Sequence, residues 1–307
     1  MKSLLKYIPV ALSALIFVSC QDEKIREVEK IVNKEIYINE DFDPAKGVAK
    51  LSISHLVNGQ PFQINKSFND QEGNTYQFNE IRYWLSNIEF VTPAGEVVSV
   101  PNTYYLVENR DTLYYYGTTS NNQSTMKSDP KIREEVLVGN IPTGSYSKIR
   151  FSIGVDSVYN SNFTLRAGEL DVNQMSQVGG WAWQTSYIFL RTKGTFLAKG
   201  GDPLSDATKF IAEIGGNSLY RTVELSLPAV TAMEAGSTAE IKLKADVLKL
   251  FGNGLPTVPD FKGSKPSGWS ADPNLAPYQK FINASSVADM TTLSNNASEF
   301  ITIDSAK

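Results

Sequence analysis

The stretch AKLSISHLV, residues 49–57, places apolar side chains at odd positions and mostly polar side chains at even positions. This period of two is typical of a β-strand that buries one face. It places His55, the single histidine of the chain, on the inward face. Residues 240–247, EIKLKADV, repeat the pattern with four apolar residues on one face and four charged residues on the other. Both stretches predict strands that cover a hydrophobic core.

Strand signals separated by turns recur through the rest of the chain. Asn58-Gly59 is typical of a hairpin turn, and a change of phase at Ser86-Asn87 predicts a β-bulge. Residues 117–130 are polar and are predicted to form a loop. Further strands are predicted at 81–90, 97–107, 135–138, 148–153, 183–193, 210–214, 222–227 and 300–303. Strands this short and numerous predict an all-β fold, which we interpret as one immunoglobulin-like or jelly-roll-type β-sandwich.

The start of the chain combines basic residues with an apolar run. Residues 1–19, MKSLLKYIPVALSALIFVS, lead directly to Cys20, the only cysteine. The apolar run of roughly 12 residues fits a secretory signal, whereas a membrane-spanning helix needs about 20. We interpret residues 1–19 as a lipoprotein signal peptide and Cys20 as a lipidation site that anchors the protein to outer-membrane lipid. The alternative is a plain secretory signal followed by a free cysteine.

The domain organisation follows from the change of composition after this leader. Residues 20–46 are rich in charge and are predicted to form a lipidated cysteine and tether, and residues 47–307 the β-sandwich domain. Gln21-Asp22-Glu23 resembles the short acidic signal of surface-exposed Gram-negative lipoproteins, so we expect the cell surface rather than the periplasmic face. Residues 252–278 contain five prolines and four glycines and predict a long loop, a candidate contact element.

Composition and motifs restrict the function. A net charge of −4 without a basic patch argues against nucleic acid as a partner. No nucleophile elbow, phosphate loop, HExxH or EF-hand pattern is present, and we expect a non-catalytic protein. A glycosidase-like carboxylate pair stays open, because nothing selects two of the 33 acidic residues. Asp156, Asn160 and Asp171 offer oxygens to Ca²⁺, although turn hydrogen bonds explain them equally well.

Seven short pieces, in order over most of the predicted domain, resemble the MbnP-like family of copper-associated periplasmic or surface proteins. Each piece is weak alone, and their shared order makes the resemblance specific. The pieces are VNGQ at 57–60, IRYWLSNI at 81–88, IPTGSY at 141–146, GVDS at 154–157, WAWQTSYIF at 181–189, IGG at 214–216 and SNNASEF at 294–300.

The resemblance implies a β-sandwich that binds or handles copper, with a protein partner in metal uptake. In copper-binding relatives it implies a site of histidines and an oxidised tryptophan. Here the expected metal site comprises His55, Glu213, Met175 and Trp181. The chain departs from the family pattern at Glu213, where histidine is usual, and in the residues 177–180 inserted between Met175 and Trp181. A hard carboxylate suits Cu(I) less well than imidazole.

Each of these residues also has a structural interpretation. His55 on an apolar strand face is more often a satisfied core histidine, and Trp181 and Met175 are more often packing residues. Glu213, beside a glycine pair, is explained by hydrogen bonds at a strand end. Two functions therefore stay open: a lipid-anchored copper- or metal-binding protein, and a surface lipoprotein that contacts protein or glycan after losing its metal site.

Overall fold

Two β-sheets with a shared hydrophobic core make up most of the computed structural model. It describes residues 42–119, 122–171, 173–176, 186–204, 207–252, 281–284 and 286–304. These residues belong to one compact unit, Phe42–Lys307. The predicted signal peptide, Cys20, nearly all of the predicted tether, Trp181 and the loop from residue 253 onward lie outside the described residues.

The described residues form 17 strands and three α-helices, numbered here in chain order. The strands are β1 (Gly47–Val57), β2 (Gln60–Pro61), β3 (Ser67–Asn69), β4 (Thr75–Val91), β5 (Val97–Ser99), β6 (Tyr104–Arg110), β7 (Leu113–Thr119), β8 (Asn122–Ser128), β9 (Lys131–Arg133), β10 (Glu135–Ile141), β11 (Gly144–Ile153), β12 (Ile188–Leu197), β13 (Thr208–Gly215), β14 (Arg221–Met233), β15 (Thr238–Asp246), β16 (Phe281–Ala284) and β17 (Ile301–Ile303). The helices are α1 (Ser157–Asn160), α2 (Asn173–Ser176) and α3 (Val287–Phe300).

The first sheet has the order β10-β1-β15-β17, with β2 paired to β1. Its two central strands, β1 and β15, are the two stretches with the clearest alternation, and they run parallel to each other. Leu51 and Ile53 on β1 and Leu243 on β15 are buried, while Lys50 and Lys242, which precede Leu51 and Leu243, are not. The alternation therefore sets one apolar face against the second sheet.

The second sheet has the order β14-β11-β4-β12-β13-β16, with β3, β5 and β6 also paired to β4 and β9 to β6. The 17-residue strand β4 is its central element. Register with β11 runs from Arg150 opposite Glu89 to Ser152 opposite Ser86, so β4 holds one extra residue there. Asn87 in this bulge has φ of 49°. The bulge predicted from the phase change at Ser86-Asn87 is confirmed.

Aromatic rings join the two sheets in one core. Phe62, which follows β2, packs 5.8 Å from Phe78 on β4, and Tyr83 on β4 packs 5.3 Å from Phe300 at the end of α3. All four side chains are buried in one continuous hydrophobic cluster. The predicted all-β sandwich with a single domain is confirmed.

Three local predictions need correction. The polar segment predicted as a loop at 117–130 contains most of the β7–β8 hairpin, whose strands pair from Leu113 opposite Ser128 to Thr119 opposite Asn122. For the strand predicted at 183–193, residues 183–185 lie outside the described residues, and β12 runs from Ile188 to Leu197. The terminal strand begins at Ile301, because Phe300 ends a helix.

Helix α3 was not predicted, although its sequence carries the signals of one. Ser286 caps its start by accepting a hydrogen bond from the Asp289 backbone N–H at 3.1 Å. Its buried residues include Met290, Leu293 and Phe300, which recur at helical spacing. No helix in the part of the chain described here has the length and hydrophobicity to cross a bilayer.

Candidate functional site

A row of charged side chains crosses the face of the second sheet that points away from the first. Register places Glu108 on β6 opposite Arg82 on β4, and Arg82 opposite Arg191 on β12. Arg191 in turn lies opposite Glu213 on β13. Because directly opposed residues project from the same face of a sheet, these four side chains lie side by side. We call Glu108, Arg82, Arg191 and Glu213 the charged row.

An irregularity in β4 explains why charges occupy this face. Its register with β12 shifts between Phe78 and Glu80, which adds one residue to β4. Phe78 points into the core, where it packs on Phe62. Beyond the extra residue, Tyr83 takes the core face and Glu80 and Arg82 take the opposite one. A one-residue shift moves every following side chain to the other face.

Both ends of the charged row are ion pairs. Arg191 Nε donates to Glu213 Oε1 at 2.5 Å, and Arg191 Nη2 also contacts that oxygen. Arg82 Nε donates to Glu108 Oε2 at 3.1 Å. The exposed fraction is 0% for Arg191 and 6% for Glu213. Each carboxylate therefore neutralises a guanidinium that is removed from water.

Helix α2 lies over the middle of the row. Arg82 Nη2 donates to the Gln174 carbonyl at 2.6 Å, and Arg191 Nη1 donates to the Met175 carbonyl at 2.9 Å. The last carbonyls of a helix have no partner within it, so these two arginines supply the missing donors. The Met175 side chain is buried.

A second row of charges lies beside the first. Lys193 Nζ lies 3.2 Å from Glu80 Oε2, and Arg110 Nε donates to Glu108 Oε2 at 3.0 Å. Lys131 Nζ lies 2.6 Å from the other Glu108 oxygen. Glu108 is thus shared among Arg82, Arg110 and Lys131, and the network reaches the surface at Lys131, whose side chain is 41% exposed.

Burial and charge act in opposite directions on this network. Burial tends to raise the pKa of Glu108, but Arg82, Lys131 and Arg110 outweigh it, and its pKa falls below the usual value. For Lys193, burial dominates over the attraction of Glu80, so its pKa is lowered. Glu108 is therefore ionised at neutral pH.

His55 lies in the core between the two sheets. Its Nδ1 lies 2.8 Å from Glu134 Oε1, and its Nε2 lies 3.2 Å from the Tyr83 hydroxyl. Asn109 Nδ2 donates to the same Glu134 oxygen at 2.9 Å. Both ring nitrogens are therefore engaged, and His55 ties β1 of the first sheet to β4 of the second.

The structure corrects the expectation that His55 and Glu213 share one site. Tyr83, which contacts His55, lies opposite Leu190 on β12. The next residue, Arg191, projects from the other face and lies opposite Glu213. His55 and Glu213 are thus on opposite sides of the second sheet.

Met175 and Glu213 are brought together, because both contact Arg191, but the Met175 contact is through its carbonyl. The Met175 atom in this contact is thus a backbone oxygen and not the thioether sulfur expected of a metal ligand. Trp181 lies outside the described residues.

The residues present do not fit a copper site built from these side chains. The contacted oxygen of Glu213 faces a guanidinium, and both imidazole nitrogens of His55 have hydrogen-bond partners. A copper site needs donor atoms whose free lone pairs converge on one point, and Cu(I) prefers soft sulfur donors, while imidazole also suits copper. Among the described residues, no group of three or more histidine, cysteine, aspartate or glutamate side chains is arranged to hold a metal ion.

Two of the three residues considered for Ca²⁺, Asp156 and Asn160, use a side-chain oxygen to accept a hydrogen bond from a backbone N–H. Asp156 caps α1 by accepting from the Val158 backbone N–H at 3.0 Å. Asn160 accepts from the Tyr187 backbone N–H at 2.7 Å. Asp156 is thus a local helix cap, whereas Asn160 holds the backbone of a segment that lies 27 residues further along the chain.

Sequence reasoning missed the arginines of the charged row. Arg82 and Arg191 each lie within a strand that has apolar residues at both odd and even positions. An arginine is almost never fully buried without a partner. A charged residue inside such a strand was therefore the signal that could have been used. It predicts an ion pair buried under another segment of the chain.

Comparisons with known proteins found one family model and one solved structure that are similar to this chain. A family model described as MbnP matches residues 46–264, which is more than half of the chain. Among solved structures, MbnP from Methylosinus trichosporium is similar, with a TM-score of 0.42 and 12% identity over 69% of this chain and 79% of that chain. None of the curated proteins compared with the chain matches it.

Proposed function

The chain belongs to the MbnP family, and on that premise we propose that it is a non-catalytic, lipid-anchored binding protein whose metal site has been replaced by an ion pair. Family membership supports a copper-related ancestry. The contacts of the candidate residues support the loss of metal binding in this member. Its role is then to bind another molecule at the cell surface, without holding copper at His55 or Glu213.

The observation that carries the proposal is the pairing of Arg191 with Glu213. A carboxylate buried against a guanidinium has its charge compensated, and a metal cation brought to the same oxygen would meet a fixed positive charge. At about 4 Å, two like charges repel by about 4 kcal/mol even at an effective dielectric constant of about 20. Metal binding at Glu213 would therefore require Arg191 to leave the site.

His55 supports the proposal from the other side of the sheet. It is 4% exposed and bonded through both ring nitrogens to Glu134 and Tyr83. Copper could reach this imidazole only after a hydrogen bond between the two sheets was broken. The structural role is sufficient to explain why a histidine stands here.

The anchoring part of the proposal rests on the sequence of the leader. Cys20 follows an apolar signal-like run and precedes polar residues, and Gln21-Asp22-Glu23 favours the outer surface of the outer membrane. Two or three acyl chains would hold the protein firmly, whereas a single chain gives only marginal binding.

A titration with Cu(I) tests the loss of the metal site. Purified wild-type protein competes with a chromophoric Cu(I) chelator, and Arg191→Gln and His55→Ala are titrated in parallel. We expect the wild type to take much less than one equivalent of copper from the chelator, because Arg191 is paired with the Glu213 carboxylate. One equivalent of copper bound by the wild type and lost in His55→Ala would contradict the proposal and favour the alternative, copper binding with a partner in metal uptake.

A further inference from the structure

A cleft on the outer face of the second sheet lies apart from the charged row. Its volume is about 570 Å³, which falls within the range of about 300–1,000 Å³ typical of small-molecule sites. The sheet forms its floor through β4, β5, β11 and β14. Its residues include Tyr104, Tyr159, Tyr220, Asn87, Arg150 and Glu89. We call it the tyrosine cleft.

The bulge in β4 sets the central polar group of this cleft. Asn87 has φ of 49°, a conformation that asparagine tolerates better than most residues. Its Nδ2 donates to the Tyr220 hydroxyl at 2.6 Å and to Asp156 Oδ2 at 3.1 Å. Bulges are over-represented beside binding sites, where they redirect a side chain. Here the bulge brings an amide between aromatic walls.

The charged groups in and behind the cleft already have partners. Arg150 Nη1 donates to Glu89 Oε2 at 3.0 Å, and its Nη2 donates to Glu224 Oε2 at 2.7 Å. Asp156 accepts from the Tyr104 hydroxyl as well as from Asn87. Burial, and then Asp156, raise the pKa of Tyr104, so its hydroxyl stays protonated. An ionic ligand would have to displace one of these pairs.

The remaining surface combines apolar ring faces with neutral hydrogen-bonding groups. The rings of Tyr104 and Tyr159 lie 5.0 Å apart at 56°. Beside them, the hydroxyls of Ser152 and Thr222 lie 3.0 Å apart on the floor. A hydroxyl both donates and accepts, so these groups match a ligand that carries many hydroxyls. A purely apolar ligand would leave the remaining hydrogen-bonding capacity of these hydroxyls unused.

We propose that the tyrosine cleft binds a neutral oligosaccharide. Its sugar rings would place C–H faces on the half-buried rings of Tyr159 and Tyr220, and hydroxyls on the Asn87 amide oxygen and Thr222. The inference rests on the proposed non-catalytic binding role and names its ligand class. It uses no residue of the charged row, so copper binding and sugar binding are tested independently.

Calorimetric titration with defined oligosaccharides tests this inference. The neutral probes are maltoheptaose, cellohexaose and mannohexaose, and an acidic galacturonate hexamer serves as the charged comparison. We expect at least one neutral probe to saturate the wild-type protein and the acidic probe to bind more weakly. Recovery of the probe intact checks the non-catalytic role separately, because cleavage would contradict that role while leaving binding in place.

Matched glycine variants locate the binding. Asn87→Gly removes the amide while glycine keeps the positive φ, and Asn58→Gly does the same in the β1–β2 hairpin, where φ is 51°. Tyr159→Leu removes one ring wall and leaves the Asn87 hydrogen bonds unchanged. We expect affinity to fall about tenfold or more in Asn87→Gly and Tyr159→Leu and to stay unchanged in Asn58→Gly.

Two results would overturn the inference. One is the absence of saturable binding of every neutral probe to the wild type up to about 10 mM, a concentration well above typical dissociation constants of specific complexes. The other is equal affinity of the wild type, Asn87→Gly and Tyr159→Leu for the probe that binds, with all three folded by circular dichroism.

Discussion

Glu213 shows how a single position changes meaning once its neighbours are known. The resemblance drawn from the sequence implies a histidine at this position, and the chain has a carboxylate there. It cannot identify Arg191 as its partner, because the two residues lie on different strands and meet only through sheet register. The same holds for His55, whose inward face was predictable from alternation but whose bonds to Glu134 and Tyr83 were not.

The first prediction at this scale concerns the buried pair. Arg191→Leu leaves the Glu213 carboxylate buried without its cation, and we expect a loss of about 3–5 kcal/mol in the free energy of unfolding. The double variant Arg191→Leu/Glu213→Leu should recover most of that loss, because it leaves no unpaired charge. Urea unfolding monitored by tryptophan fluorescence measures both.

Arg150→Leu is the matched control, since Arg150 also pairs with glutamates, but its side chain is 31% exposed. We expect it to cost less than about 1 kcal/mol. Equal losses for Arg191→Leu and Arg150→Leu would show that burial of the Arg191 pair is unimportant.

A second prediction follows from the lowered pKa of Glu108. Burial opposes its ionisation, but Arg82, Lys131 and Arg110 outweigh burial. In the unfolded chain the pKa of a glutamate is about 4.3. The stabilisation from ionised Glu108 is therefore complete above about pH 4.3 and is lost as pH falls through its lower folded pKa.

Urea unfolding of the wild type and Glu108→Gln between about pH 7 and about pH 3 tests this sign. We expect the wild type to be the more stable at neutral pH and the difference to shrink below about pH 4.3. A difference that stays constant across the range would argue against a lowered pKa.

At the scale of elements, alternation predicted the central strands and failed where pairing or capping decided the structure. Strands β1 and β15 were predictable because one face of each is buried. The β7–β8 hairpin was missed because its sequence is polar from Gly117 onward, and its strands pair with each other. Helix α3 was missed because its polar residues masked the helical spacing of Met290, Leu293 and Phe300.

The close approach of β12 to β4 gives a prediction at this scale. A Cβ on Gly194 would lie 2.2 Å from the Gln77 carbonyl oxygen, whereas the nearest atom to a Cβ on Gly144 would be 3.7 Å away, on Tyr146. Gly194→Ala must therefore push the strands apart, and we expect a cost of about 1–3 kcal/mol. Gly144→Ala should change stability by no more than about 0.5 kcal/mol. Thermal unfolding compares the two variants. Equal melting temperatures would contradict the claim that β12 and β4 are too close at Gly194 to admit a Cβ.

At the scale of the whole molecule, the candidate residues lie on different faces of the two sheets. Their inner faces hold His55 in a core that joins the sheets, and the outer face of the second sheet carries the charged row and the tyrosine cleft. Sequence patterning predicted the sandwich because alternation reports which face is buried. It did not predict the arrangement on the outer face, because the cover from α2 comes from a segment without periodicity.

The anchoring prediction also belongs to the whole protein. Cys20→Ser would remove the proposed acceptor of the lipid, and we expect the protein to move from the membrane fraction to the soluble fraction, because the proposed anchor is a set of acyl chains on this residue. Lys24→Ala, which keeps the cysteine, should stay with the membrane. Fractionation of cells that express the full chain measures this, and a membrane-bound Cys20→Ser protein would contradict it.

The most direct test of the central claim is the copper content of the full-length protein purified from cells grown with excess copper. Elemental analysis should find well below one copper per chain, because Arg191 holds Glu213 and both nitrogens of His55 are bonded. One copper per chain in the wild type, lost in Glu213→Gln or His55→Ala, would contradict the account.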